Sequence, residues 1–241
     1  MKKIIDGVYL ISGQDGLIPD AHIYLIGLPS SKDLTLIDVG VTGKGQEKLD
    51  VLKKYGIQPG DIKRIILTHA HLDHIGCIRE VLKETHAELW MHLKEADLLE
   101  QGQELIVFGQ EMVKEMCHNH YNIKSGDYTL TFDKKLEGNE DLEIGGMIWK
   151  VLHVPGHSLG SLALYDPANK ILIAGDVVYA DYTIGRFDFF GSSAQELKST
   201  LQFLSSLDVN ILLPGHNQIM MDVPRGYLLE TAKRWEPFLK G

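Results

Sequence analysis

The sequence predicts an α/β fold in which two similar sheets pack face to face with helices outside. Two observations predict it. The order strand, helix, strand, then a histidine-bearing loop occurs twice along the chain. In each half an aspartate follows an apolar strand, Asp38 in the first and Asp176 in the second. Composition agrees: 241 residues, 44% hydrophobic and 24% charged, are ordinary for a globular protein. A chain of this length buries roughly 70–75% of its unfolded surface without disulfide staples. The expectation is a single domain over 1–241 with a helical insert at about 93–121.

The elements follow in order. Short apolar runs bounded by Gly, Pro, Ser and Asp predict strands at 8–12, 22–27 and 34–38. A helix is expected over 46–55, with Leu49 and Leu52 on one face. The run 65–67 is short, apolar and β-branched, a buried strand. It leads straight into Thr68-His69-Ala70-His71-Leu72-Asp73-His74, after which Ile75, Ile78, Val81 and Leu82 recur at helical spacing. Residues 93–121 read as a helix pair packed on the sheet; the alternative is a lid or wall whose Met and Phe adapt to a ligand.

In the second half, 148–154 is a strand ending at Pro155-Gly156-His157. Residues 162–165 and 171–174 form a hairpin through the Asp166-Pro167-Ala168-Asn169 turn. Ser193 and Glu196 have capping-box spacing and start a helix striped by Leu197, Leu201 and Leu204. The strand 211–213 ends at Pro214-Gly215-His216.

Charge and cysteine usage exclude several classes. With 24 basic and 33 acidic residues the net charge is −9, which argues against nucleic acid and against an anionic membrane surface. Cys77 and Cys117 read as reduced thiols of a cytoplasmic protein. The N-terminus makes a poor signal peptide, and no run of about 18 apolar residues predicts a membrane span. The expected partner is a small molecule; a homodimer would use the 93–121 insert.

The chemistry concentrates in a few of the 11 histidines. His69, His71 and His74 fall together with Asp73 among them; His157 and His216 each follow Pro-Gly; Asp176 follows Ala174-Gly175. Neutral imidazole and carboxylate are ligands for zinc or a similar divalent ion. In an extended loop residues 69 and 71 point the same way, so one ion can take both. Asp73 and His74 follow where the chain turns into a helix, and can face a second ion. A structural zinc site would favour cysteine and be closed, and this set is too large for one ion. Two metals with open positions are therefore expected.

Thr68-His69-Ala70-His71-Leu72-Asp73-His74-Ile75-Gly76 resembles the T-H-x-H-x-D-H-x-G signature of the metallo-β-lactamase fold superfamily. Pro155-Gly156-His157, Gly175-Asp176 and Gly215-His216 are similar to its later motifs, and Asp38 to its early aspartate. The resemblance implies a four-layer αββα sandwich with metals at one edge. It implies one site of His69, His71 and His157, a second of Asp73, His74 and His216, and Asp176 as a bridge. Asp38 would orient the histidine loop without binding metal. Two Zn2+ ions are the first expectation, with iron or manganese as alternatives. A metal-bound hydroxide would attack an ester, thioester or lactone carbonyl, with Asp73 helping to shuttle the proton. With two divalent ions the local charge stays slightly positive, which favours an anionic substrate.

Within the superfamily, Gly185-Arg186-Phe187-Asp188 resembles the G-R-x-D stretch of glyoxalase II-like thioester hydrolases and of persulfide dioxygenases. Arg186 would bind a substrate carboxylate, or else form a buried structural pair with Asp188. Tyr179 stands three residues after Asp176, the spacing at which lactonases of this fold place a tyrosine on the substrate carbonyl; the alternative is a pocket-wall aromatic. His22 is a further candidate for the pocket. Aspartate at 176 disfavours the cysteine-ligand β-lactamases, and His71 disfavours flavodiiron proteins. Only about 25 residues follow His216, which puts a glutathione thioester in doubt. The function expected is a metal-dependent hydrolase, glyoxalase II-like or lactonase-like; the alternatives are a mononuclear-iron persulfide dioxygenase and a phosphodiesterase. His86 and His92 are expected at the surface, His118 and His120 away from any site, and His153 and Cys77 in packed positions.

Overall fold

The apolar runs pair into two sheets in the computed structural model, which describes residues 1–14 and 16–240. The first sheet holds, in spatial order, β1 (Lys2–Ile5), β2 (Val8–Ile11), β3 (Ile23–Ile26), β4 (Leu34–Ile37), β5 (Ile62–Ile66), β6 (Glu88–His92) and β7 (Lys134–Leu136). It is antiparallel from β1 to β4 and parallel from β4 to β7. The second holds β8 (Asp141–Ile144), β9 (Met147–His153), β10 (Leu162–Asp166), β11 (Ile171–Gly175) and β12 (Ile211–Pro214). Only its β11–β12 pair is parallel.

A parallel pair needs a crossover, and helices supply it. Helix α1 (Gly45–Lys54) joins β4 to β5, and α7 (Ala194–Leu204) joins β11 to β12. Each half thus carries a strand–helix–strand unit that ends in a histidine loop, as the repeat in the sequence predicts.

Burial on both faces explains the continuous apolar strands. Along β3, Ile23 and Leu25 join the core beneath the outer helices, while Tyr24 and Ile26 face the other sheet. Along β11, Ile171 and Ile173 meet the first sheet, and Leu172 and Ala174 point outward to α7 and α8 (Tyr227–Trp235). The first sheet's outer face is covered by α1, α2 (Leu72–Ile75), α3 (Ile78–Thr85), α4 (Leu93–Glu100), α5 (Leu105–Phe108) and α6 (Glu111–Tyr121). The layers are helix, sheet, sheet, helix: the expected αββα sandwich. No helix among the described residues is long and apolar enough to cross a membrane.

The hairpin turn forms as predicted, with Asp166 Oδ1 accepting the amides of Ala168 (2.9 Å) and Asn169 (3.3 Å). Ser193 caps α7 by accepting the Glu196 amide at 3.2 Å. The 93–121 segment differs from the expected helix pair. It is three helices, interrupted at Gly102 and Gly109, whose φ of 75° and 73° leave the helical region. His92 is also not at the surface. It is buried at the end of β6, caps α4 by accepting the Lys94 amide (3.2 Å), and stacks on His153 at 4.0 Å. His86 is exposed, as expected, and Cys77 is buried with its thiol donating to the Val41 carbonyl (2.7 Å).

Candidate metal centre

The first histidine loop leaves β5 and enters α2, with His71 as the residue before the helix. Asp38, just past β4, holds this loop from behind. Its Oδ1 accepts the Thr68 amide (2.7 Å), and its Oδ2 accepts the Thr68 hydroxyl (2.7 Å) and His74 Nδ1 (2.8 Å). The His74 carbonyl in turn accepts the Val39 and Gly40 amides. Asp38 has φ 62°, a left-handed conformation that aspartate tolerates better than most residues. The residue placed in the sequence as the orienter of the loop is thus wired to it by three hydrogen bonds.

Two groups of side chains converge at the strand ends. His69, His71 and His157 form one; Asp73, His74, Asp176 and His216 form the other. Within each group the ligating atoms lie within 4.8 Å of one another. Asp176 stands between the groups: its Oδ1 is 3.2 Å from His74 Nε2, and its Oδ2 is 3.5 Å from His216 Nε2 and 3.7 Å from His157 Nε2. All seven residues singled out as ligands from the sequence come together here. Close approach of the last loop requires glycine: a Cβ on Gly215 would fall on the Asp176 carboxylate.

The hydrogen bonds show which nitrogens are bare. The Thr68 hydroxyl gives its hydrogen to Asp38, so at 3.1 Å it accepts from His69 Nδ1, leaving His69 Nε2 with a lone pair. His157 Nδ1 donates to the Arg186 carbonyl (2.7 Å), leaving Nε2 bare as well. These two lone pairs face each other at 3.2 Å, with His71 Nδ1 2.9 Å from His157 Nε2. Buried atoms His74 Nε2 and Asp176 Oδ1 have no hydrogen-bond partner among the described residues. Lone pairs that face each other repel unless a cation lies between them, so the donor set fits metal ions.

Protonation points the same way. Burial pushes His69 and His157 below the ordinary histidine range and holds His71 at about 3. Burial also acts against charge on His74, but Asp176, Asp38 and Asp73 outweigh it and raise His74 well above that range. His216 is raised as well: burial opposes, while Asp176 and the hydrogen bond to Asp73 (2.9 Å) prevail. Against its own desolvation, Asp176 is held far below the usual carboxylate range by His74 and His216. The second group therefore draws positive charge, whether as protons or as a metal.

His71, Asp73, His157, Asp176 and His216 of the centre line a cavity of about 620 Å³. Tyr179 lines it, with its ring centroid 6.4 Å from that of His216. Burial and the Asp176 carboxylate push the Tyr179 phenol well above its ordinary value, so it is a neutral hydrogen-bond donor. Tyr179 precedes Asp181 and Tyr182, both left-handed at φ 58° and 59°. Helix α8 pins that turn. The Tyr227 hydroxyl donates to the Tyr179 carbonyl (2.8 Å) and accepts the Tyr182 amide (2.8 Å), and Trp235 Nε1 donates to the Tyr182 carbonyl (2.8 Å).

Arg186 lines the cavity and pairs with Asp188 at 2.9 and 2.7 Å. The pair is exposed, not buried as the structural alternative supposed. His22 also lines the cavity, but both ring nitrogens are engaged. Nδ1 accepts the Gly13 amide (3.0 Å) and Nε2 donates to the Asn217 carbonyl (2.7 Å), so His22 ties two loops together with no nitrogen left for a substrate. His118 is half-buried against Phe108, and His120 is exposed. Of the 93–121 insert, Val107, Phe108, Val113, Met116 and Cys117 line the cavity, so the segment both covers the sheet and walls the site.

Sequence reasoning missed Glu95. This carboxylate on α4 is fully buried, and its Oε1 accepts the Gly160 amide (2.9 Å) in the loop after His157. Burial raises its pKa, against the Ser158 hydroxyl and the Gly160 and Ala70 amides. A lone Glu in a charged helical stretch carries no signal of such a position.

Known proteins resemble this chain along most of its length. It is 29% identical over 216 residues to the probable metallo-hydrolase YqgX of Bacillus subtilis, covering 89% of this chain and 90% of that protein. It is 25% identical to the hydroxyacylglutathione hydrolase GloC of Haemophilus influenzae, covering 86% and 88%. The solved structure of TTHA1623 in a di-iron-bound form superposes with a TM-score of 0.66 at 25% identity, covering 88% of this chain and 93% of that one. The sequence profile of the metallo-beta-lactamase superfamily matches residues 20–216. On that match, and with its paired His/Asp groups disposed to hold metal, the chain belongs to the metallo-beta-lactamase superfamily.

Proposed function

We propose that the protein is a dinuclear metal-dependent hydrolase that cleaves the carbonyl–heteroatom bond of an ester, thioester or lactone. The observation that carries this is the pair of donor groups on either side of Asp176 in the lining of a cavity. Kinship with a probable metallo-hydrolase and with a hydroxyacylglutathione hydrolase supports it. His69, His71 and His157 would hold one ion, and Asp73, His74 and His216 the other, with Asp176 between them. Zinc is the ion proposed, because imidazole and carboxylate suit it. Two such ions supply a hydroxide at neutral pH and a Lewis acid for a carbonyl oxygen.

The chain's own groups do the rest. Asp38 keeps His74 and Thr68 in place through buried hydrogen bonds. Tyr179 donates to the carbonyl oxygen as negative charge develops there. Asp73, which lines the cavity and is hydrogen-bonded to His216, relays a proton to the leaving group. Water adds its oxygen to the acyl carbon, the acyl–heteroatom bond breaks, and the products are a carboxylate, a proton and the alcohol or thiol. The completeness of the second group favours two ions over a mononuclear iron site, which would leave Asp73, His74 and His216 gathered together without one.

The test is metal content per chain on protein purified without added metal or chelator, followed by a screen of esters, thioesters and lactones. About two ions per chain, with hydrolysis lost to a chelator and restored by zinc, is the expected result. Close to one iron per chain and no hydrolysis would overturn the proposal.

A further inference from the structure

The lining of the cavity has two chemically distinct parts. One is the donor groups. The other is an apolar wall of Val107, Phe108, Val113, Met116, Cys117 and Phe189. The wall begins at the centre itself: the Phe189 ring lies edge-on to the His71 ring at 5.2 Å. It is continuous, because Gly109 at the end of α5 packs directly on the Phe189 ring and accepts the Phe190 amide at 2.8 Å. Met116, which lines the cavity, is 40% exposed.

Charge is balanced around this wall. Arg186 is the one Lys or Arg among the described cavity-lining residues. Its Nε and Nη2 both donate to the Asp188 carboxylate, and its guanidinium lies 4.2 Å from the Phe189 ring centre. Asp20, which also lines the cavity, is buried against Lys48 at 2.6 Å. Outside the donor groups the cavity therefore offers no unpaired cation to a substrate carboxylate, and a long apolar surface to an alkyl chain.

We infer that the substrates are neutral esters, thioesters or lactones of medium-length aliphatic acids, with the acyl chain seated against the wall built by α5, α6 and Phe189. This rests on the hydrolase proposal for the position of the carbonyl; the apolar subsite itself does not. Each methylene fully buried there should improve binding by a factor of about four. Arg186 then acts as a paired, stacked part of the wall, not as an anion receptor.

The experiment uses N-acetylcysteamine thioesters of acetate, butyrate, octanoate and succinate with the protein as isolated, and calorimetric titration with acetate, octanoate and succinate. The expected result is kcat/KM at least about tenfold higher for octanoyl than acetyl, carried by KM, with succinyl slower than butyryl. Met116→Glu, at a half-exposed position, should compress the octanoyl-to-acetyl ratio at least about fivefold, and Val113→Asp should do the same. Octanoate should bind more tightly than acetate or succinate. Equal rates across chain lengths, equal binding of the three acids, or a succinyl preference that Arg186→Gln abolishes would overturn the inference. Preferential octanoate binding with no thioester hydrolysed would sink the hydrolase proposal and leave the apolar subsite standing.

Discussion

The two donor groups hold their histidines in opposite states. For His69, His71 and His157, burial outweighs the pull of Asp176 and, for His71 and His157, of Asp73, and drives all three toward the neutral form. His74 and His216 are also desolvated, yet Asp73, Asp176 and, for His74, Asp38 reverse the sign. An ion in the first group meets lone pairs; an ion in the second meets two negative charges in a low-dielectric setting. The difference teaches that affinity should be unequal between groups built from similar loops, and that Asp176 couples them.

Removing that coupling is the most severe way to break the comparison. Asp176→Asn should lower metal content below two per chain and reduce kcat/KM by about a thousandfold or more. Elemental analysis and steady-state kinetics read it, and two retained ions with near-normal rates would show the groups to be independent. Next come the groups one at a time. His157→Ala should leave about one ion per chain, held by the carboxylate-rich group, whereas His216→Ala should leave a more weakly held ion that gel filtration in a chelator removes. The reverse ranking would mean that lone-pair geometry outweighs charge.

The supporting carboxylates sharpen the contrast further. Asp38→Asn weakens the bond to His74 and should lower metal affinity by about 10- to 100-fold, mainly in the second group; competition with a colorimetric chelator measures it. Glu95 is the counterpart behind the first group, but it touches backbone and a hydroxyl where Asp38 grips a histidine. Its effect should be the smallest. Burial raises the Glu95 pKa above the ordinary 4.5, so its contribution to stability is present below that value and is lost as pH rises through the raised one. Glu95→Gln should therefore gain thermal stability relative to the parent as pH is raised from 4.5 into the neutral range. Parallel melting curves for the two proteins across that span would contradict this.

Legibility of the sequence followed the same physics. The ligand loops could be read because each donor sits directly after a glycine at a strand end or inside a dense histidine run, where local sequence and function coincide. The two halves could be read because the strand–helix–strand unit repeats. Strands β1 and β7 were hidden by Lys2-Lys3 and Lys134-Lys135, which suit sheet edges but break an apolar pattern. Strand β8 alternates exposed and buried residues from Asp141 to Ile144, a weak signal beside long apolar runs. Helix α8 buries Tyr227, Leu228, Thr231 and Ala232 at helical spacing, a pattern present in the sequence but tied to no motif. Contacts made only by folding, such as His92 on His153 and Glu95 under Gly160, have no local signature.

The left-handed pair Asp181 and Tyr182 carries one more consequence. A tyrosine in that conformation persists only when its surroundings hold it, and here the holding comes from Tyr227 and Trp235, more than forty positions later in the chain. The Tyr179–Thr183 turn and α8 should consequently open together, as one cooperative unit in amide hydrogen exchange. Deuterium would then enter the two segments at a common rate, and the cavity wall at Tyr179 would breathe on the clock of a surface helix rather than on that of the sheets beneath it.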